Sequence, residues 1–207
     1  YALYRNEIVE SIPQTRNQPC CRVIPRDYAM KEACCFEDND QARALLHLNS
    51  ALAELGIGLN ELPEMTLTYP PLGDQCQIVH LVQRQWEEVL GIKVKLAPQS
   101  KPLLMNELMK GQYQICSMFW TSMIKDPVYL LSAFRSVHGH ANLCRWVNED
   151  YQRLLYQADA ELNSDKRREN FLKVETLLMD ELPVIPISFG TALYMKGEKL
   201  EICNFCG

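Results

Sequence analysis

No apolar run in this 207-residue chain approaches the roughly 20 residues that a membrane-spanning helix requires, so no segment reads as a span. Neither sign of charge dominates: 21 Lys and Arg stand against 26 Asp and Glu, for a net charge of −5. That balance gives no basis for nucleic acid or an anionic membrane surface as a partner. The charges are scattered, and the densest basic cluster, Lys166-Arg167-Arg168, sits beside Asp165 and Glu169 in a helical pattern. The chain has no glycine-rich loop of the kind that cradles phosphate, no internal repeat and no low-complexity tract. No signal peptide is visible and the first residue is Tyr1 rather than Met, so a mature product or an excised piece is expected.

Apolar residues make up 47% of the chain and charged residues 23%, an ordinary globular balance. The length is enough to bury a sizeable core, as one domain or at most two. Cysteine, by contrast, is plentiful. The nine are Cys20, Cys21, Cys34, Cys35, Cys76, Cys116, Cys144, Cys203 and Cys206. Two adjacent pairs flank a loop-like segment, and an oxidising compartment would permit cross-links between them. Connectivity is not fixed by sequence, and an odd count leaves at least one thiol free or pairing outside the chain. Cys116 lies in an apolar strand and reads as a small buried hydrophobe. Cys203-x-x-Cys206 has metal or redox spacing, but lacks the second CxxC of a zinc site and the following helix of a thioredoxin-like site.

Periodicity predicts a short helix in residues 1–12 with Ile8, Val9 and Ile12 as its apolar positions. A long connection punctuated by Pro13, Pro19 and Pro25 follows. A helix begins near Asp40, capped by Asn39 or Asp38, with Leu45, Leu48 and Leu52 on its face and Gly56 as its stop. An alternation of strand and helix then sets in. Met65–Tyr69 is a strand with Thr at its polar positions. Gln75–Leu90 is a helix with Val79, Val82, Trp86, Val89 and Leu90 on one face, closed by Gly91. Ile92–Leu96 is a half-buried strand, Ser100–Lys110 a helix, and Tyr113–Trp120 an apolar strand that runs into a polar turn. This β-α-β-α-β order implies parallel strands, hence an α/β or mixed, mainly parallel sheet flanked by helices.

Asp126 is placed to cap, and Pro127 to open, a helix through Val128 to Phe134. A helix from about Asn148 carries Tyr151, Leu154, Leu155, Ala158 and Leu162. Another, from Ser164, carries Phe171, Val174, Leu178 and Leu182 and is broken by Pro183. A bent strand region, Val184 to Met195, ends the pattern. In open α/β sheets ligands sit where strands end and a loop departs. An indole at that point, with small polar side chains beside it, supplies one flat apolar wall and a few hydrogen-bonding groups. Trp120 stands there, whereas Trp86 on an apolar helix face reads as core.

The order of these motifs resembles the C-terminal lobe of the periplasmic oligopeptide- and dipeptide-binding proteins, the solute receptors of ABC importers. The segments that carry the resemblance are LHLNSALAELG, MTLTY through HLVQRQWEEVLGIKVKL, LMKGQYQICSMFWTSMIKDP, and RRENFLKVETLLMDELPVIPI. No single motif is decisive; the shared order and spacing from about residue 40 to 195 make the match. The resemblance implies a type II periplasmic binding protein-like lobe, with residues 1–39 as a connecting segment bearing the cysteine pairs and 40–207 as the ligand-binding lobe. It implies recognition of an extended peptide between two lobes and delivery to a membrane permease, without covalent chemistry and without a cofactor. It also implies a location in the periplasm or cell envelope, at the outer face of the cytoplasmic membrane, and lipoprotein character. The implied ligand-binding residues are Lys101, Ser117, Phe119, Trp120, Thr121, Ser122, Met123 and Trp146.

Three positions depart from the family. A carboxylate that often pairs with the peptide's free amino group is Met123 here, a second Trp is Lys101, and an Arg carried by some members is Ser117. Losing the carboxylate removes a charge-assisted bond, so amine-blocked, anionic or otherwise modified peptides are expected. The family's large N-terminal lobe has no counterpart in these residues, so weak binding by this piece alone is expected. Other readings compete. His138, His140 and Cys144 have donor atoms a metal would accept, although solvated loop histidines are commoner; a metal-chelate or haem receptor of the same fold is the alternative this keeps open. Cys144 with His140 as base would be a nucleophile only with an orienting third group and oxyanion donors, neither of which is identifiable, so no enzyme is expected. A structural or adhesive surface role is the remaining alternative.

Overall fold

The computed structural model describes residues 1–25, 36–137 and 141–191. The chain divides into two compact units. The first comprises Tyr1–Pro19 and Phe36–Phe119. It contains α1 (Arg5–Glu10), the two-residue strand β1 (Gln18–Pro19), α2 (Gln41–Leu55), β2 (Met65–Tyr69), α3 (Gln75–Leu90), β3 (Val94–Pro98), α4 (Lys101–Lys110) and β4 (Ile115–Cys116). The strands form a parallel sheet in the order β3-β2-β4, with Leu67 opposite Leu96 on one side and Ile115 on the other. The β-α-β-α-β order is therefore a parallel sheet, as its sequence pattern implied.

β2 is the central strand. Leu67, Thr68 and Tyr69 are all buried, so the polar Thr68 is enclosed although its strand alternates in sequence. α3 packs on β2 and β3 through Ile78, Val79, Val82 and Trp86, which are buried. Its last turn closes at Gly91, whose φ of +67° is the left-handed conformation glycine adopts without a Cβ penalty. α1 buries Ile8 and packs against α3, and Ile12 just beyond it is buried too. Arg5, 1% exposed, is held by Asp38 through its backbone and its guanidinium.

Several expectations in this unit shift: the strand expected over Ile92–Leu96 is Val94–Pro98, and Leu45, expected on the apolar face of α2, is exposed. The cap of α2 is Asp40, which accepts from the Arg43 amide at 3.0 Å, and neither Asn39 nor Asp38; Asp38 is instead committed to Arg5. The strand expected over Tyr113–Trp120 pairs only at Ile115–Cys116. Its partner β2 ends at Tyr69 and runs into Pro70-Pro71, which have no amide hydrogen to extend a ladder, and the Ser117 amide makes the closing bond to the Thr68 carbonyl at 2.9 Å.

The second unit holds residues 20–25, 120–137 and 141–191. It is helical: α5 (Pro127–Leu131) passes into a 3₁₀ turn (Ser132–Phe134), followed by α6 (Glu149–Ala160), α7 (Ser164–Glu181) and the short strand β5 (Ser188–Phe189). α6 and α7 pack along each other, and Leu131, Phe134, Tyr151, Leu155, Ala158, Phe171, Val174 and Leu178 form the core with Ile24. Asn148 caps α6 and Asn163 caps α7, which begins at Ser164 as its sequence pattern indicated. Leu162, expected on the α6 face, falls past the helix end and is 98% exposed. Leu182 is the left-handed C-cap of α7 rather than part of its apolar face.

Candidate functional site

Parallel pairing aligns the carboxyl ends of β2, β3 and β4, so the segments leaving β3 and β4 depart from one edge of the sheet. Lys101 opens α4 just after β3, and its side chain is exposed. Ser117 follows β4; its hydroxyl donates to Gln75 Oε1 at 2.9 Å, and Gln75 is buried. Ser117 thus fastens the end of β4 to the first turn of α3. Met118 and Phe119 emerge exposed beyond it. Lys101, Ser117 and Phe119 belong to the first unit.

Trp120, Thr121, Ser122, Met123 and Trp146 belong to the second unit. The Trp120 indole is 43% exposed, and its covered face lies on Phe134, with centroids 6.4 Å apart and planes 23° off parallel. Phe134 is buried and meets Trp146 edge-on at 6.4 Å, and Trp146 meets the buried Tyr151 edge-on at 4.9 Å. Both expected indoles therefore border the same ring, in an aromatic ladder that runs from solvent to core. Thr121 is exposed, and Met123 is 81% exposed. The Ser122 hydroxyl donates to the Ile124 carbonyl at 2.6 Å, which shapes the turn.

Several groups that hold this arrangement escaped the sequence reading. The Trp146 indole N–H donates to Glu181 Oε2 at 2.6 Å, and Asn148 Nδ2 donates to Oε1 of the same carboxylate at 2.5 Å. The buried amide of Asn142 donates to the Ser136 and Trp146 carbonyls. The Tyr151 hydroxyl donates to the Leu131 carbonyl at 2.7 Å. Burial drives the Tyr151 phenol far above its usual range; the nearby Arg135 opposes that shift and Glu175 adds to it. Only the capping role of Asn148 has a local signal, an Asn placed before an apolar helical face. The other partners meet across the fold.

Asp126 does cap α5, accepting from the Val128 amide at 2.9 Å. It does more: Arg167 of α7 grips both of its oxygens, at 2.8 and 3.1 Å. The cap of α5 is thus also one half of a two-point ion pair.

Burial raises the Cys116 thiol to about 11. Cys144 donates to the Asn142 side-chain oxygen at 3.2 Å, a neutral amide rather than a base. His138, His140, Cys34, Cys35, Cys203 and Cys206 lie outside the described residues, so the cross-links and metal spacings they suggested are not placed. Among the described residues no group of three His, Cys, Asp or Glu side chains gathers as a metal site. The second unit thus presents a half-exposed indole backed by a buried ring, with the exposed Thr121 next to it in sequence.

No protein-family model matches the chain. It is 31% identical to the oligopeptide-binding protein OppA of Bacillus subtilis, over 97% of its own length and 38% of that protein's. It is 25% identical to the periplasmic murein peptide-binding protein MppA of Escherichia coli, over 88% of this chain and 34% of the relative. The solved structure of the Escherichia coli murein tripeptide binding protein MppA matches with a TM-score of 0.80 at 24% identity, covering 90% of this chain and 37% of that one. A periplasmic oligopeptide-binding protein, OppAIV from Borrelia burgdorferi, matches with a TM-score of 0.78 at 25% identity, over 91% and 37% of the two chains. The fold is thus type II periplasmic binding protein-like, and the chain spans well under half the length of the relatives it matches. Nearly all of the chain's own length aligns to part of these relatives, so it is similar to the periplasmic oligopeptide- and dipeptide-binding proteins.

Proposed function

We propose that this chain is part of the solute-binding component of an ABC importer and that it recognises peptides, with Trp120 as one wall of a cleft closed by a second lobe. The observation that carries this reading is the half-exposed indole of Trp120, backed by Phe134, in the loop that follows the parallel strand β4. An indole on a buried backing ring is already ordered, so a ligand that covers it loses little extra freedom on binding. In this reading residues 1–39 are the connecting segment and 40–207 the ligand-binding lobe. Lys101, Ser117 and Phe119 of the first unit and Thr121, Ser122, Met123 and Trp146 of the second are the further ligand-binding residues of this reading. The component works in the periplasm or cell envelope, against a permease in the cytoplasmic membrane. Among the described residues no helix is long and apolar enough to cross a membrane.

The ligand class is narrower than any peptide. Met123 stands where a carboxylate would meet a free amino group, which favours peptides whose amino end is blocked or whose charge is negative. The test is native mass spectrometry of the full-length receptor purified from its own cell, followed by calorimetry with a peptide and its N-acetylated twin. A co-purified peptide and tighter binding of the acetylated form are expected. Clear preference for the free amine would reject the narrower class, and binding of neither would reject the receptor reading. Trp120→Ala should weaken binding by about tenfold, the worth of one stacked indole.

A further inference from the structure

We infer that Gln83 and Glu87 of α3 close the outer edge of β3 against pairing with a second copy of this chain. Among the described residues the order β3-β2-β4 places β3 at one edge of the sheet. An edge strand offers a row of amides and carbonyls to any strand that comes alongside it. On the inner side of β3 the Lys93 carbonyl accepts from the Met65 amide, and beyond its end the Gln99 amide donates to the Tyr69 carbonyl, each at 2.9 Å. Backbone groups of successive strand residues point to opposite sides. Lys93, Lys95, Ala97 and Gln99 therefore turn theirs toward β2, while Val94, Leu96 and Pro98 turn theirs outward.

The outward row is largely taken. The Val94 amide donates to Glu87 Oε1 at 3.1 Å, and the Val94 carbonyl accepts from Gln83 Nε2 at 2.7 Å. Gln83 and Glu87 stand one turn apart on α3, so one helix face supplies both the acceptor and the donor that a neighbouring strand would bring. Pro98 has no amide hydrogen to give. Among the described residues only Leu96 keeps both an outward amide and an outward carbonyl open. Two copies related by a two-fold axis would pair β3 antiparallel, each Val94 meeting the Leu96 of the other copy and each Lys95 facing its own counterpart. With Val94 occupied the bonds of that pairing do not form, and the exposed Lys95 sets like charges opposite each other. Side chains that only tied α3 to β3 would affect stability and leave the state of association unchanged.

The experiment takes the full-length receptor and measures its mass by sedimentation equilibrium over a range of concentrations, with urea denaturation as the check on folding. Gln83→Ala combined with Glu87→Ala frees the Val94 amide and carbonyl, and should strengthen self-association at least about tenfold over wild type. Adding Lys95→Thr should strengthen it further, because the facing charges are gone. Adding Leu96→Pro instead removes an outward amide that makes no bond to β2, and should return the double variant to the wild-type state. Should the double variant fail to fold, Glu87→Ala alone serves: it frees the Val94 amide while Gln83 still holds the carbonyl, and it too should associate more strongly than wild type. A folded variant that associates no more than wild type overturns the inference. So does association that Leu96→Pro leaves unchanged, since it would then run through another surface. Neither result touches the receptor reading, which is tested by peptide binding.

Discussion

Glu175 lies 1% exposed in α7 and carries more of the second unit's order than its position in the sequence suggests. Its carboxylate pairs with Arg22 and accepts from the amides of Val23 and Ile24 at 2.8 and 2.6 Å, fixing an irregular segment against the helix. Glu175→Gln keeps acceptors for the amides but removes the negative charge that faces the buried Arg22 guanidinium. A loss of about 3–5 kcal/mol is expected, read from equilibrium urea denaturation. A loss under about 1 kcal/mol would show that the pair is not what holds the segment. No periodicity marks this pair, because partners 153 residues apart leave no local trace; a charged residue at a core position of a helix is the only signal. Cys116 is the converse case, because its apolar strand announced an enclosed thiol, and the residue is half-buried. With its thiol raised from 9.0 to about 11 by burial, the thiolate fraction near pH 7.5 should be roughly 100-fold below that of the unfolded chain, and iodoacetamide labelling should slow accordingly. The thiol stays protonated in the folded chain where the unfolded one ionises. Stability from this group is therefore complete below pH 9 and lost as pH rises through about 11. Labelling of the folded chain as fast as the unfolded one would contradict the burial.

Elements with a strong period and clear punctuation were legible to the residue. α3 runs Gln75–Leu90 and β2 Met65–Tyr69, as periodicity and alternation indicate. β4 was legible in place but not in length. An apolar run of eight residues looks like a strand, yet pairing depends on what the neighbour offers, and β2 offers nothing past Tyr69. That early release is what leaves Phe119 and Trp120 exposed, so the error in length and the candidate site have one cause. The loop into α6 was legible only as polar; its order comes from Asn142, Asn148 and Glu181. Asn148 has two tasks: its Oδ1 accepts from the Tyr151 amide at 2.9 Å, and its Nδ2 holds the carboxylate that orients Trp146. Asn148→Ala should cost about 1–2 kcal/mol in thermal or urea unfolding, mostly from the lost cap. Asn148→Asp preserves the cap but sets a second carboxylate beside Glu181, and should recover only part of that loss.

At the scale of the molecule, the chain covers 38% of the length of OppA from Bacillus subtilis, and that proportion bears directly on binding. Well-formed ligand sites bury about 70–90% of a small ligand's surface. The Trp120–Phe134–Trp146 ladder presents one exposed indole face, with Thr121 and Met123 beside it, and a ligand lying on a single face leaves most of its surface in water. Each contact still forms, but hydrogen bonds open to solvent contribute little, and the association entropy is opposed by one wall instead of two. The 207-residue chain alone should therefore bind a peptide at least about 100-fold more weakly than the full-length receptor does, in calorimetry under identical buffer. The loss should be shared by every peptide tested, because it comes from the absent enclosure and not from any one side chain. The preference between acetylated and free-amine peptides should survive, measured by competition at high chain concentration, because Trp120 and Met123 both lie within these residues. Equal affinity in the short and long chains would mean that the site is complete here, and the reading of Trp120 as half of a two-walled cleft would have to be given up.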